Sequence, residues 1–346
     1  MWHRFKNHKA GIAGLVVFFI ILVMTVFAEF FAPYGENEIT PHSNAPPQRF
    51  YIRDKDGAFH FPFVYGLESQ FDLATGIMDW TEDTSERLPI RVFFNGSTYR
   101  VFGRSGTLRL FGVQDGYFFL FGTNSIGQDV FSRVLYGGRI SLIIAFITAV
   151  LTLFLGTTTG MISGYFRGVP DMVIQRIVEL FMIIPNVPLG LALAAFLPPD
   201  MKPGILMLGV ALVLSIVSWG NVARQIRGKT LSIRENIFVK ASVSAGANTA
   251  WIMTRHILPS LYGHLIVLAT LTIPMTILAE SGLSFLGFGL RPPMTSWGML
   301  LREAQSFRVI ALYPWVMIPG AAIMVTVLAL NFIGDALRDA ADPYGK

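Results

Sequence analysis

The sequence predicts an all-helical, polytopic membrane protein with six transmembrane helices and one small β-rich external insertion. Three observations carry that prediction. Hydrophobic residues fill 53% of the 346 positions and charged residues only 14%, and mean hydropathy is +0.54, a balance that water alone does not solvate. Several nearly uncharged runs reach the roughly 20 apolar residues a helix needs to cross hydrocarbon with its backbone satisfied. Only the segment 34–138 combines dense charge with turn signals.

The N-terminal helix occupies residues 1–33. Arg4, Lys6 and Lys9 precede an apolar run, Gly11 to Phe31, whose one charge is Glu29. Val26-Phe27-Ala28 loosely resembles a signal-peptide cleavage site, but the run exceeds the usual apolar core of about 7–15 residues and further spans follow. It reads as a retained anchor. The remaining spans are Ile140 to Phe166, Met172 to Leu197, Pro203 to Val222, Leu261 to Gly282 and Ile310 to Ile333, a five-helix core within residues 139–346. Six crossings place both termini on one side. Residues 1–10, 164–172 and 221–259 carry ten Lys and Arg against the two acids Asp171 and Glu235, so the positive-inside rule makes these faces cytoplasmic.

Residues 34–138 hold 9 Lys and Arg against 12 Asp and Glu and form the external module. Asp56-Gly57, Asn95-Gly96 and Asp115-Gly116 separate runs such as Ile90 to Phe94 and Tyr117 to Phe121, which predicts hairpins, because positive φ is cheap for Gly and tolerable for Asn or Asp. Asp54, Asp56, Glu82, Asp83 and Glu86 read as solvated loop charges without a nucleophile constellation. Pro198-Pro199 and Pro292-Pro293 mark short external connections.

Several chemistries are excluded. The net charge of +5 is not gathered on a soluble basic face with interleaved aromatics, so nucleic acid is not an expected partner. Zero cysteines remove thiol nucleophiles, disulfides and thiolate metal sites. Gly228-Lys229-Thr230 resembles the end of a phosphate-binding loop, but that loop needs a glycine where Ala223 stands, so no cofactor is expected in this chain. His3, His8, His42, His60, His256 and His264 lack the i, i+4 spacing of a zinc hydrolase helix. Asn95-Gly96-Ser97 matches a glycosylation sequon too short to weigh. Arg176 and Glu179 are placed to pair at i, i+3. Glu280, beside Ser281, Gly282 and Ser284, reads either as facing a watery cavity or as bonding a neighbouring helix. Gly156, Gly160, Gly320 and Ala321 permit close helix approach.

The stretch from Asn221 to Pro259 is too long for a connector between adjacent spans. Phe238 to Ala245 is helix-compatible and rich in small residues, Gly246 ends or bends it, and Trp251 to Ile257 forms a second helical stretch that Leu258-Pro259 closes. Such a loop can dock in a partner's groove and pass the partner's movement to the flanking spans.

Here the sequence resembles the permease subunits of bacterial ATP-binding-cassette importers for oligopeptides, dipeptides and nickel. Their loop signature is Glu-Ala-Ala, three residues, Gly, and an Ile-x-Leu-Pro-like close. Ala241, Gly246, Ile257, Leu258 and Pro259 keep that spacing, whereas Lys240 replaces the Glu and Ser242 the second Ala. Phe121 to Asn124 through Gly127 to Val130, Ser132-Arg133, Tyr136-Gly137 and Arg139 to Leu142 are similar to the family's entry to its second span, as are Asp171, Arg176, Glu179 and Pro185 farther on. Leu283 to Gly287, Pro292-Pro293, Ser296 to Gly298 and Gly334-Asp335 with Leu337 to Asp339 are similar to its C-terminal hallmark. Residues 34–120 are longer than the usual first external loop, similar to the branch that contains the microcin C and peptide permeases.

The resemblance implies the type I importer permease fold in the bacterial inner membrane. It implies ATPase coupling through Lys240, Ala241, Ser242, Gly246, Ile257, Leu258 and Pro259, with Glu280 and Ser284 as pathway or helix-interface residues. The implied partners are a homologous second permease subunit, two ATP-binding subunits that hold ATP and Mg, an external solute-binding protein and membrane lipid. Two rivals predict different behaviour. A secondary transporter or channel would work without an ATPase, and a tethered external module would bind or turn over something when excised.

Overall fold

The computed structural model describes residues 5–54, 57–73, 77–101, 104–198 and 200–341. In chain order these form α1 (Lys9–Val26), α2 (Ala28–Phe31), β1 (Tyr51–Arg53), β2 (Phe59–Asp72), β3 (Ile77–Pro89), β4 (Arg91–Val101) and β5 (Arg104–Gly112). There follow α3 (Val130–Phe166), α4 (Gly168–Ile183), α5 (Asn186–Ala195), α6 (Pro203–Arg234), α7 (Ile237–Ser244), α8 (Thr249–Ile252) and α9 (Leu258–Phe285). The chain ends with α10 (Trp297–Leu301), α11 (Phe307–Leu312) and α12 (Ile318–Ala341). Among the described residues five helical stretches are long and apolar enough to cross a membrane, or six where a bent pair of helices is counted as one span.

That pair stands where a single span from Met172 to Leu197 is expected, and the span is broken in two. The chain turns by 93° between α4 and α5. Pro185 stands at the break, with Ile184 before it in an extended conformation. Proline lacks the N–H that would continue the ladder and disfavours the helical region for its predecessor, so the helix ends there. A correction concerns Leu258-Pro259, which opens a span instead of closing the loop. Met253–Ile257 forms a π-turn in which the Leu258 N–H donates to the Met253 carbonyl, so helix runs through from Thr249 to Phe285. Proline is tolerated in the first turn of α9.

The chain divides into two compact units. One consists of Met1–Phe19, Leu142–Leu290 and Met324–Lys346. Its helices approach through small residues: a Cβ on Gly156 would stand 2.5 Å from Val222, and one on Gly160 would stand 2.5 Å from the Ala223 carbonyl. The pattern repeats where Gly14 faces the Ala329 carbonyl at 2.5 Å. Such contacts are the expected adhesive between helices where lipid is as apolar as leucine.

The other unit consists of Ile20–Ser141 and Arg291–Ile323, so residues from the last third of the chain join the β-rich segment. Strands β1, β2 and β3 form an antiparallel sheet in that order, and β4 pairs with β5. Val64, Leu88, Ile90, Val113 and Phe118 form a core cluster. The predicted hairpins need correction. Asn95 and Gly96 lie inside β4, where the Asn95 Oδ1 accepts from Thr107 Oγ1 at 3.0 Å. Gly96 leaves room for the Arg109 side chain, which is buried and donates to the Ala32 and Ser97 carbonyls. Gly57 has φ +81 and its N–H donates to the Asp54 carbonyl, while its predicted partner Asp56 lies outside the described residues, as does Pro199. Gly116 makes a turn at φ +89, but Tyr117 to Phe121 is not a strand: Phe118 and Phe119 are fully buried, and Gln48 Oε1 accepts from the Phe119 N–H. Asp54 is not a solvated charge either. It is buried, accepts from the Tyr65 hydroxyl at 3.0 Å and pairs with Arg87.

Candidate functional site

All candidate elements with a functional geometry belong to the helical unit. The first is the loop that follows α6. Asn236 precedes α7 in an extended conformation, and α7 ends where Gly246, at φ +76, takes the left-handed region that glycine occupies without cost. The Ala247 N–H then returns to the Ser242 carbonyl at 3.1 Å. Nothing lies within 4 Å of a Cβ placed on Gly246, so that glycine serves the backbone turn and not a close contact. Asn248 caps α8 by accepting from the Ala250 N–H at 2.9 Å.

The loop has one buried face. Val239, Ile252 and Ile257 share a cluster with Met161 of α3, Val222 and Ile226 of α6, and Leu261 and Leu268 of α9. Leu258 packs against that cluster and Pro259 is exposed in the first turn of α9. Other apolar side chains of α7 stand open: Ile237, on the side away from Val239, is 86% exposed, and Val243, one turn beyond Val239, is 54% exposed. The Ser242 hydroxyl donates to the Phe238 carbonyl at 2.8 Å and lies 3.0 Å from His256 Nε2. Phe238 and Trp251 both pack on the His256 ring, which latches α7 to α8. Ala241 is exposed, and its carbonyl accepts from the Ala245 N–H at 2.9 Å.

Lys240 bonds within its own chain. Its Nζ lies 3.1 Å from Glu235 Oε2, while Arg167 Nη2 donates to Glu235 Oε1 at 2.7 Å. The two cations hold the Glu235 carboxyl below the usual carboxylate range, Lys240 more than Arg167. Deeper in the unit, Arg227 clasps Asp171 with two bonds of 2.6 and 2.7 Å, and Asp171 also accepts from Ser163. Ties of this bidentate kind fix geometry as well as charge, and here they bind α3, α4 and α6. Arg176 pairs with Glu179 at 2.8 Å on an exposed face.

The second element is a cavity of about 490 Å³ between α3, α5, α6 and α9. Its walls are mostly apolar, and among the described lining residues none is charged. Asn186, Ser218, Asn221 and Gln225 bring amides and a hydroxyl into it. Thr152 also lines it; its Oγ1 is fully buried and has no partner among the described residues. A mostly apolar hollow with a few convergent polar groups is the usual form of a small-solute site. The amide and hydroxyl set suits a neutral, hydrogen-bonding cargo such as a peptide backbone. Glu280 is not among the lining residues. It is fully buried and its Oε1 accepts from Ser284 Oγ at 2.7 Å, while that oxygen in turn accepts from the Leu290 N–H at 3.2 Å.

Sequence reasoning missed the cavity residues because each is a lone polar position in an apolar span. A signal existed: Ser218, Asn221 and Gln225 recur at i, i+3 and i+7 and so share one face of α6.

Residues 156–344 match the family described as binding-protein-dependent transport system inner membrane component. Residues 1–47 match the N-terminal transmembrane domain of oligopeptide transport permease C. The glutathione transport system permease protein GsiD of Pectobacterium atrosepticum is 40% identical over 65% of this chain and 72% of its own. The dipeptide transport system permease protein DppC of Alkalihalophilus pseudofirmus is 38% identical over 65% and 72%. The oligopeptide transport system permease protein OppC of Bacillus subtilis is 35% identical over 64% and 71%. Among solved structures, a chain of the MetNI methionine ABC transporter in an inward-facing conformation superposes with a TM-score of 0.48 at 17% identity, covering 60% of this chain and 96% of that one.

Proposed function

This chain belongs to the family of binding-protein-dependent transport system inner membrane components, and we propose that its α7–α8 loop is the surface on which an ATPase partner pushes. The protein is a multi-pass inner-membrane permease component of an ATP-binding-cassette importer for peptides, as its relatives named for peptide, dipeptide and oligopeptide transport are. It works with ATPase partners. The fuller set proposed here is a homologous second permease subunit, two ATP-binding subunits that hold ATP and Mg, and an external solute-binding protein. Both termini and the α7–α8 loop face the cytoplasm, as the excess of Lys and Arg in the loops requires.

One observation carries the coupling role: α7 has both buried and open apolar side chains. Val239 is 1% exposed inside a cluster shared with α3, α6 and α9, while Ile237 and Val243 stand open for a partner. Pressure on these open side chains therefore reaches, through Val239, three of the helices that line the 490 Å³ cavity. Lys240, Ala241, Ser242, Gly246, Ile257, Leu258 and Pro259 act here as parts of the lever. Gly246 makes its turn, Ser242 its latch, and Lys240 stiffens it through Glu235 and does not meet the ATPase directly. Glu280 and Ser284 pin the outer turn of α9 and leave cargo contact to the cavity amides.

The test uses the assembled transporter with its binding protein. Ile237→Asp with Val243→Asp changes only exposed positions, so thermal unfolding should stay as in the parent. Stimulation of ATP hydrolysis by the loaded binding protein should fall about tenfold, the loss expected when apolar anchors leave an interface. Unchanged stimulation would reject the lever.

A further inference from the structure

A second cavity, of about 620 Å³, lies between α6, α9 and α12. It shares Gln225, Leu268 and Leu271 with the 490 Å³ cavity, so the two are successive stretches of one groove. Their chemistry differs. The first has no charged lining residue among those described, whereas the second collects Lys229 from α6, His264 from α9 and Arg338 from α12. Among the described residues neither Lys229 nor Arg338 forms an ion pair, and His264 Nε2 is buried with no partner. Asp339 is the one acid among the described lining residues, and it leans to His8, with His8 Nε2 at 3.6 Å.

The position of these three groups along the helices is consistent. Lys229 follows Pro203 by 26 residues, about 39 Å of helix, which exceeds the roughly 30 Å of hydrocarbon. Arg338 lies in the last turn of α12, and His264 lies near the start of α9. All three belong to the end of the groove that the orientation proposed above makes cytoplasmic.

We infer that this vestibule receives the carboxylate of the peptide cargo as it leaves the neutral stretch of the groove. The inference rests on the peptide-import reading and deepens it. A neutral, amide-lined stretch handles any peptide backbone alike, and a cationic stretch beyond it gives the chain end a direction. Lined clefts of one charge sign concentrate and orient counter-charges at their mouths. Lys229 and Arg338 outnumber Asp339, so the described lining keeps a net positive charge. An anionic lipid headgroup offers the same chemistry, but continuity with the amide-lined cavity favours cargo.

The experiment is uptake of trialanine and of trialanine amide by the assembled transporter, with its binding protein and ATP, in neutral phosphatidylcholine vesicles that hold no competing anionic headgroup. The binding protein's own preference is the same for every permease variant, so the comparison is the acid-to-amide ratio between variants. Lys229→Gln with Arg338→Gln should lower that ratio about tenfold, at the modest end of electrostatic focusing. Lys229→Arg with Arg338→Lys should preserve it. Each single Gln variant should give part of the drop, which keeps the test open where the double variant fails to assemble. A ratio unchanged in the Gln variants overturns the vestibule while leaving peptide import intact. Wild-type transporter that carries neither compound overturns the import reading, and the vestibule with it.

Discussion

In the unit built around Leu142–Leu290, helices touch through absence: at Gly156, Gly160 and Gly164 any Cβ would fall within 3 Å of α6. In the unit built from Ile20–Ser141 and Arg291–Ile323, the buried positions are large: Trp297, Arg109, Phe118 and Phe119 are each 1% exposed or less. Trp297 Nε1 donates to the Val134 carbonyl at 2.9 Å and its N–H reaches Ser141 Oγ, while Trp315 Nε1 donates to the Thr123 carbonyl at 2.8 Å. The difference lies in what each unit buries. Apolar side chains gain little by leaving lipid, so close backbone approach and dispersion hold the spans together. In the other unit large aromatic surface is buried, and a polar group buried with it needs a partner.

The comparison would break first at Gly160. Gly160→Leu places side-chain atoms against the Ala223 carbonyl and Ile226, and overpacking of this kind should cost about 3 kcal/mol in detergent thermal unfolding. Gly228→Ala is the control, since nothing lies within 4 Å of its Cβ. It should be neutral or stabilise by up to about 1 kcal/mol through helix propensity. Equal effects from the two substitutions would mean that small residues do not hold the helical unit.

Asp129 sharpens the other side of the comparison. It is buried at the start of α3, its Oδ2 accepts from the Ser132 N–H at 2.7 Å, and its Oδ1 has no partner among the described residues. Burial pushes its carboxyl up to about 7. A carboxyl raised above its unfolded value favours the folded state below that value and loses this contribution as pH rises through the folded pKa. Stability should therefore fall by about 2 kcal/mol between pH 5 and pH 8, and Asp129→Asn, which keeps a capping oxygen, should flatten that slope. A slope that survives the substitution would assign it elsewhere.

The smallest effect is expected at Lys240. Its partner Glu235 is solvent-exposed, and exposed pairs contribute little to stability. Since the Glu235 carboxyl is held below its ordinary value, the contact persists above that value and is lost only as pH falls through the lowered one. Lys240→Glu should lower the unfolding midpoint slightly while reducing binding-protein-stimulated ATP hydrolysis, because two acids then face each other at the loop. A large loss of stability would show that the loop depends on this contact more than its exposure allows.

Much of the helical unit is written in local pattern. Span length, the glycine spacing at Gly156 and Gly160, and the turn at Gly246 each follow from a few consecutive residues and a fixed helical period. Where two local signals compete, pattern alone misleads. Asn95-Gly96 carries a strong turn signal, yet the buried Arg109 side chain occupies the space that glycine leaves and the strand continues. Asp54 looks like any loop acid until Tyr65 and Arg87 close around it.

The sequence by itself determined that the chain crosses a membrane, how often, and that a patterned loop joins two of its spans, because hydrophobic length and periodicity are properties of neighbouring residues. Only the tertiary structure decided that the third span bends by 93°, that Lys240 bonds Glu235, and that Lys229, His264 and Arg338 line one cavity. Those facts depend on residues from different helices meeting in space, and their separation along the chain leaves no periodic trace.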